Sequence, residues 1–236
     1  MDIRGQRECK SCGARWSYYE TGDVACPECG SLRSTGRGDR HTHTSSQATL
    51  DLTAIRNDVE TEPLRRIADR AADATREYVA SVGFVHAGEL QPLDDTFLAA
   101  MELRRVASTL GRVSDVTDDE VAYLLQLLRG ADSGERPEPA AVPETLHPER
   151  GLAIAASVDT YQTDLGRWDD DHDPAVDRLL SAVTTRRKRI EALDGAVDPR
   201  EAERLLAAVK DLSRYLRSDD ETVLARAQER ISTTEL

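Results

Sequence analysis

Beyond residue 61 the chain repeats one pattern: a capping residue, apolar side chains at alternating steps of three and four, then a breaker. That spacing places the apolar positions on one face of an α-helix. Leu64, Ile67, Ala71, Ala74, Tyr78 and Val82 form a first stripe, and Leu93, Phe97, Ala100, Leu103, Ala107 and Leu110 a second. A third helix opens at Thr117-x-x-Glu120, a capping box with Val116 and Val121 set as a hydrophobic staple, and stops at Gly130. Residues 131–148, with four prolines and several acids, read as a linker or a strap crossing the surface. Two further seams follow: Ile154, Val158, Tyr161, Leu165 and Trp168, then Ala202, Leu205, Val209, Leu212 and Leu216. Both have coiled-coil-like spacing. Between them a helix starts at Asp173-Pro174, and the boxes Asp198-x-x-Glu201 and Ser218-x-x-Glu221 open the last two.

The two halves share a plan: a helix, a loop ending in Pro92 or Pro199, a helix bearing "LAAM" or "LAAV", then "TDDE" or "SDDE". An internal duplication fits this, and so does helix grammar repeated in a biased composition.

The first forty residues follow a different rule. "ARWSYY" and "DVA" flank "ETG", which reads as two short strands around a turn at Gly22, with a third strand at "SLRS". All four cysteines of the chain lie here, as Cys9-x-x-Cys12-Gly13 and Cys26-x-x-Cys29-Gly30. Two residues between thiolates let one tight turn aim both sulfurs at one ion, and a glycine after each pair adopts the positive φ that turns backbone N–H groups toward sulfur. Cys9, Cys12, Cys26 and Cys29 are therefore the expected ligands of one structural Zn2+, in a module too small to fold by burial alone. A rubredoxin-like iron site is the main rival, because both knuckles resemble rubredoxin's, although the intervening loop is short for that family. Disulfides or a thioredoxin-like redox pair fit the setting less well. Trp16 is expected to pack over the knuckles, while Tyr18 and Tyr19 are equally suited to packing and to stacking on bases.

The expected fold is a small N-terminal β zinc ribbon followed by an all-α helical bundle of about seven helices with coiled-coil-like hairpins. Residues 1–47 form the ribbon and a basic linker, 48–130 a helical segment, 131–147 a proline-rich linker and 148–236 a second helical segment, which is free to pack with the first as one bundle.

Composition changes this picture little, but charge refines it. The chain of 236 residues carries a net charge of -13, from 31 basic and 44 acidic side chains. Only three of the basic residues are lysines (Lys10, Lys188, Lys210), and aromatics make up 4%. Such Arg-rich, Lys-poor acidity resembles proteins of salt-accumulating archaea. In molar salt the Debye length is about 3 Å, so an acidic surface repels little at a distance. Residues 1–47 hold seven basic and six acidic side chains, so the acidity belongs to the helical body. "LRSTGRGDRHTH", residues 32–43, reads as a solvated linker, with phosphate contact as the alternative. Arg33, Arg37, Arg40, Tyr18 and Tyr19 are thus the candidates for contact with nucleic acid or a partner. "RRKR" at residues 186–189 reads as cations suited to a helix C-terminus. "DDDHD" at residues 169–173 reads as a solvated loop that ends in an N-cap, since it lacks the spacing of a calcium loop.

The knuckles "CKSCGARW" and "CPECGSLRS", in a chain of this composition, resemble those of a group of haloarchaeal proteins with a transcription factor IIB type zinc ribbon. The motif resemblance covers about residues 5–40, and it implies Cys9, Cys12, Cys26 and Cys29 as zinc ligands. In transcription factor IIB the ribbon docks on RNA polymerase and is followed by two cyclin-like repeats. The long amphipathic helices here depart from that pattern, so an initiation-factor role does not follow from the resemblance.

No phosphate loop, Gly-x-Gly-x-x-Gly, His-Glu-x-x-His or nucleophile with its base is present. The expectation is a non-enzymatic zinc-binding adaptor. Its ribbon would dock on a transcription or translation assembly, such as RNA polymerase or the ribosome, and its acidic body would offer a protein-interaction surface. The alternative is a structural or oligomeric coiled-coil protein, which allows a homo-oligomer, in which the ribbon is only a folding staple. Direct nucleic-acid binding is the weaker partner reading. No run of 18 apolar residues and no secretory h-region occurs, so a cytoplasmic protein without a membrane partner is expected.

Overall fold

The computed structural model describes residues 2–46, 48–169 and 171–232. The chain begins with a small three-stranded antiparallel sheet made of β2 (Gln6–Cys9), β3 (Arg15–Ser17) and β4 (Ser34–Arg37), in the order β3-β2-β4. A preceding pair, β1 (Asp2–Ile3) with β5 (His41–Thr42), closes the tip. The tip's small core is Trp16 packed on Cys9 and Cys26, the position expected from sequence.

Its strands are not the expected ones. Tyr18 and Tyr19 leave β3 and turn into a short helix, α1 (Tyr18–Thr21), and "DVA" forms no strand. The central partner is instead the segment before the first knuckle, which pairs on both sides: Arg7 faces Trp16 in one neighbour and Gly36 in the other. Residues 34–42 are therefore not a solvated linker. They supply β4 and β5, and the expected third strand begins at Ser34, the last residue of "SLRS".

The helical body comprises α2 (Thr53–Asn57), α3 (Leu64–Ser81), α4 (Asp95–Leu110), α5 (Asp118–Gly130), α6 (His147–Trp168), α7 (Pro174–Ala192), α8 (Pro199–Ser218) and α9 (Glu221–Ser232). A hairpin, β6 (Val85–His86) with β7 (Glu89–Leu90), interrupts it between α3 and α4. The second stripe is buried throughout, and Ile67, Ala71 and Tyr78 carry the first into the core. The short α2, which the periodicity does not announce, seals that core with Leu52 and Ile55.

α4 organises the body because it is apolar on two faces. Ala99, Ala100, Leu103, Val106, Ala107 and Leu110 pack with α3, α5 and Leu146. Phe97, Leu98 and Met101 pack with α6, α8 and their neighbours. The seam of α6 (Ile154, Val158, Tyr161, Leu165) and that of α8 (Ala202, Leu205, Val209, Leu212) are buried in this second cluster, within one chain.

Helix starts follow the expected chemistry at Thr117 and Asp173, in part at Asp198, which caps α8 without a reciprocal bond to Glu201, and not at Ser218. Thr117 and Glu120 form a reciprocal capping box, and Asp173 and Asp198 accept the first N–H groups of α7 and α8. The last helix is capped by Asp220, whose carboxylate accepts from the Thr222 N–H, whereas Ser218 still belongs to α8 and bonds back to the Arg214 carbonyl. The matching segments of the two halves thus differ in role: Thr117 caps α5, but its counterpart Ser218 caps nothing, and Pro199 opens α8 whereas Pro92 precedes the α4 cap Asp94.

Residues 131–148 are a strap rather than a free linker. Three 3-10 turns bury Ala131, Val142 and Leu146. Arg136 and the Pro137 carbonyl join a buried charged cluster with Glu102, Tyr123, Arg150 and Glu203. Of the 169–173 loop, Asp170 lies outside the described residues, and Asp173 is the N-cap of α7. Among the described residues no helix is long and apolar enough to cross a membrane.

Candidate metal centre

The first knuckle follows the end of β2 and the second lies in the loop between α1 and β4, so the small sheet brings the two together. Each turn closes in the same way: the Gly13 N–H donates to the Cys9 carbonyl (3.0 Å) and the Gly30 N–H to the Cys26 carbonyl (2.8 Å). Both glycines sit at positive φ, 79° and 69°, where a Cβ would be strained. Lys10 N–H to the Arg33 carbonyl and a Ser11–Ser31 hydroxyl contact hold the knuckles side by side.

The four sulfurs of Cys9, Cys12, Cys26 and Cys29 all lie within 4.8 Å of one another. Cys9 and Cys29 approach to 3.7 Å and Cys12 and Cys26 to 3.6 Å. A tetrahedral zinc with bonds of about 2.3 Å sets its sulfurs about 3.8 Å apart, so the cage fits such an ion. A disulfide, at about 2.05 Å, does not match these separations. Cys9 and Cys26 are buried and Cys12 and Cys29 exposed, which puts the cage at the surface of the tip.

The charges are ordered too. Backbone N–H groups of Cys12 and Ser11 pull the Cys9 thiol down to about 6. The Ala14 N–H favours a Cys12 thiolate, but hydrogen bonding to Cys29 and Cys26 outweighs it and pushes that thiol up to about 12. Cys29 is also raised. Sulfurs crowded this closely resist a second and third negative charge until a cation joins them, so metal binding releases protons and tightens with rising pH.

The tip is fixed to the body. Thr44 and Ser45 both donate their backbone N–H groups to the Val85 carbonyl (2.9 and 3.1 Å), which pins the end of the tip to the β6–β7 hairpin. The Thr44 hydroxyl also donates to Asp164 on α6 (2.6 Å). Gly83 makes this possible: a Cβ there would lie 2.3 Å from the Thr44 carbonyl oxygen. His43 and His86 sit edge to face across the junction with Tyr19, and burial beside His86 lowers His43.

The remaining candidates separate. Tyr19 turns inward, donating to the Ile3 carbonyl and packing on His43. Arg37 is paired with Glu8 (2.7 Å), and Arg33 is exposed beside the second knuckle. Arg40 and Tyr18 line a cavity of about 600 Å³ together with Arg4 and Arg7. Arg4 and Arg7 carry no motif, and only the pairing of β1 with β5 and of β2 with β4 brings them to Arg40.

No curated protein and no solved structure matches this chain. One family model does, across residues 1–231, and the chain accordingly belongs to the Family of unknown function (DUF7117).

Proposed function

We propose that the protein is a non-enzymatic zinc-binding adaptor. Its ribbon, of the transcription factor IIB type, docks on a transcription or translation assembly, and its acidic helical body presents an interaction surface. The observation that carries this reading is the cage's placement: four cysteines converge at the exposed end of a near-neutral module that is braced against a strongly acidic body. A metal held by thiolates stiffens such a tip without offering an open coordination position, as befits recognition rather than chemistry. Copurification from cells in molar KCl tests the proposal. RNA polymerase or a ribosomal particle is expected with the intact chain, and recovery of neither counts against it.

A second reading is favoured by the Thr44–Asp164 anchor, which makes the ribbon continuous with the body. In that reading the metal is a folding staple. The Cys12→Ser, Cys29→Ser double variant separates the two: an adaptor loses its partner while the body keeps its melting temperature, whereas a staple lowers the melting of the whole chain.

A further inference from the structure

We propose that the ribbon cavity binds single-stranded nucleic acid, with backbone phosphates on Arg4, Arg7 and Arg40 and a base against the ring of Tyr18. The inference deepens the docking reading and rests on it for its biological setting. The cavity, about 600 Å³, is formed by the β1–β2 connection, β2, α1, β4 and the approach to β5. Its size is in the range of pockets that hold small ligands.

Its charge is unusual for this chain. Among the described residues no acid pairs with Arg4 or Arg40. Arg7 donates from Nε and Nη2 to the Ser34 hydroxyl (2.9 and 2.7 Å), a neutral acceptor that orients the guanidinium and leaves its charge uncompensated. Arg15 and Arg37, by contrast, both share Glu8. The acid on the cavity wall, Asp2, is engaged by the Thr42 hydroxyl (2.9 Å) and not by an arginine. Three guanidiniums outside any ion pair and one carboxylate, that of Asp2, therefore line one concavity, which is left net positive in a protein whose net charge is -13. Planar guanidiniums suit phosphate oxygens, and a half-buried tyrosine at the same wall supplies the stacking platform that sequence-tolerant single-strand binding uses.

Fluorescein-labelled dodecamers of uridylate and of thymidylate, titrated with the zinc-loaded full chain, test the proposal by anisotropy. At about 0.1 M KCl a Kd of about 10 µM or tighter is expected for at least one of them, with log affinity falling against log salt with a slope of about -2, as three phosphate contacts require. Arg4→Ala and Arg40→Ala should each weaken binding and flatten the slope by about 0.7. Tyr18→Leu should cost about tenfold, and Tyr18→Phe should retain the affinity. Unchanged zinc content and circular dichroism establish that each variant is folded. No binding by either dodecamer, binding of uridine monophosphate alone, or binding indifferent to these variants overturns the proposal. Its failure is distinct from that of the adaptor reading: an assembly that copurifies with a chain unable to bind the dodecamers leaves the adaptor standing, and the converse leaves the cavity standing.

Discussion

Arg150 on α6 places its Nη1 3.1 Å from Glu102 Oε1 on α4, and the two side chains are 2% and 0% exposed. The pair is the centre of a larger network. Arg150 also reaches Glu203 on α8 (2.6 Å), the Tyr123 hydroxyl on α5 (3.2 Å) and the Pro137 carbonyl of the strap (2.9 Å). Arg136 bonds both glutamates, at 3.3 and 3.1 Å, and Tyr123 donates to Glu102. Two arginines neutralise two glutamates, and the cluster ties α4, α5, α6, α8 and the strap at one point.

Removing Arg150 leaves Glu102 and Glu203 to share the single cation of Arg136, and an uncompensated buried charge costs about 3–5 kcal/mol. Arg150→Met is therefore expected to lower the melting temperature by roughly 10 °C. The Glu102→Leu, Arg150→Met double variant should recover part of that loss, because no orphan charge remains at their contact. A loss below about 1 kcal/mol in the single variant, by chemical denaturation, would show that the network contributes little.

The tip has almost no core of its own beyond Trp16, Cys9, Cys26 and Ala14. Elemental analysis should find one zinc per chain. Stripping it with a strong chelator should red-shift Trp16 emission while leaving the far-ultraviolet signal nearly intact, since α1 contributes only four helical residues. Emission unaffected by chelation would show a tip that folds without metal.

Asp164 joins tip to body, accepting from the Thr44 hydroxyl (2.6 Å) and the Phe84 N–H (2.7 Å). Asp164→Ala leaves both donors unpaired, at about 1–3 kcal/mol each. The expected result is faster amide exchange at Phe84 and Val85 with zinc content unchanged. Gly83→Val should act alike, by collision with the Thr44 carbonyl. Exchange as slow as in the parent would place the clamp elsewhere.

Besides the burial of Val223, Leu224, Ala227 and Ile231, the last helix is tied to α8 by one carboxylate. Burial alone would raise Asp211, but hydrogen bonds from Arg226 and Arg230 (2.8 Å each) outweigh it and leave the group below the usual aspartate range. A lowered value in the folded state means stability that is fully present above the unfolded value of about 3.9 and lost as pH falls through the folded one. Asp211→Asn should cost about 1–2 kcal/mol at pH 7, a figure tempered by the solvent reaching both arginines. The gap between parent and variant should close toward pH 3. A gap independent of pH would show that the carboxylate's charge is not what holds α9.

Sequence alone determined whatever depends on residues a few positions apart. The Cys-x-x-Cys-Gly turns, the stripes of α3 and α4, the Thr117 box and the Asp173 cap are such features, because helix period and knuckle geometry close within one or two turns. It was already less sure of ends, as Ser218 and Asp220 show: either can cap a helix, and only the length of α8 decides which one is free. Tertiary structure alone decided everything that joins distant segments. It chose Gln6–Cys9 over "DVA" as the strand beside β3, turned the supposed linker into β4 and β5, folded the seams of α6 and α8 into one chain's core, and gathered Glu102, Arg136, Arg150 and Glu203. The physical reason is the same in each case. A charged or extended residue has several acceptable partners nearby in sequence, and the choice among them rests on what the folded chain brings within a few ångströms: in the body the helices packed on both faces of α4, in the tip the knuckles and the small core around Trp16.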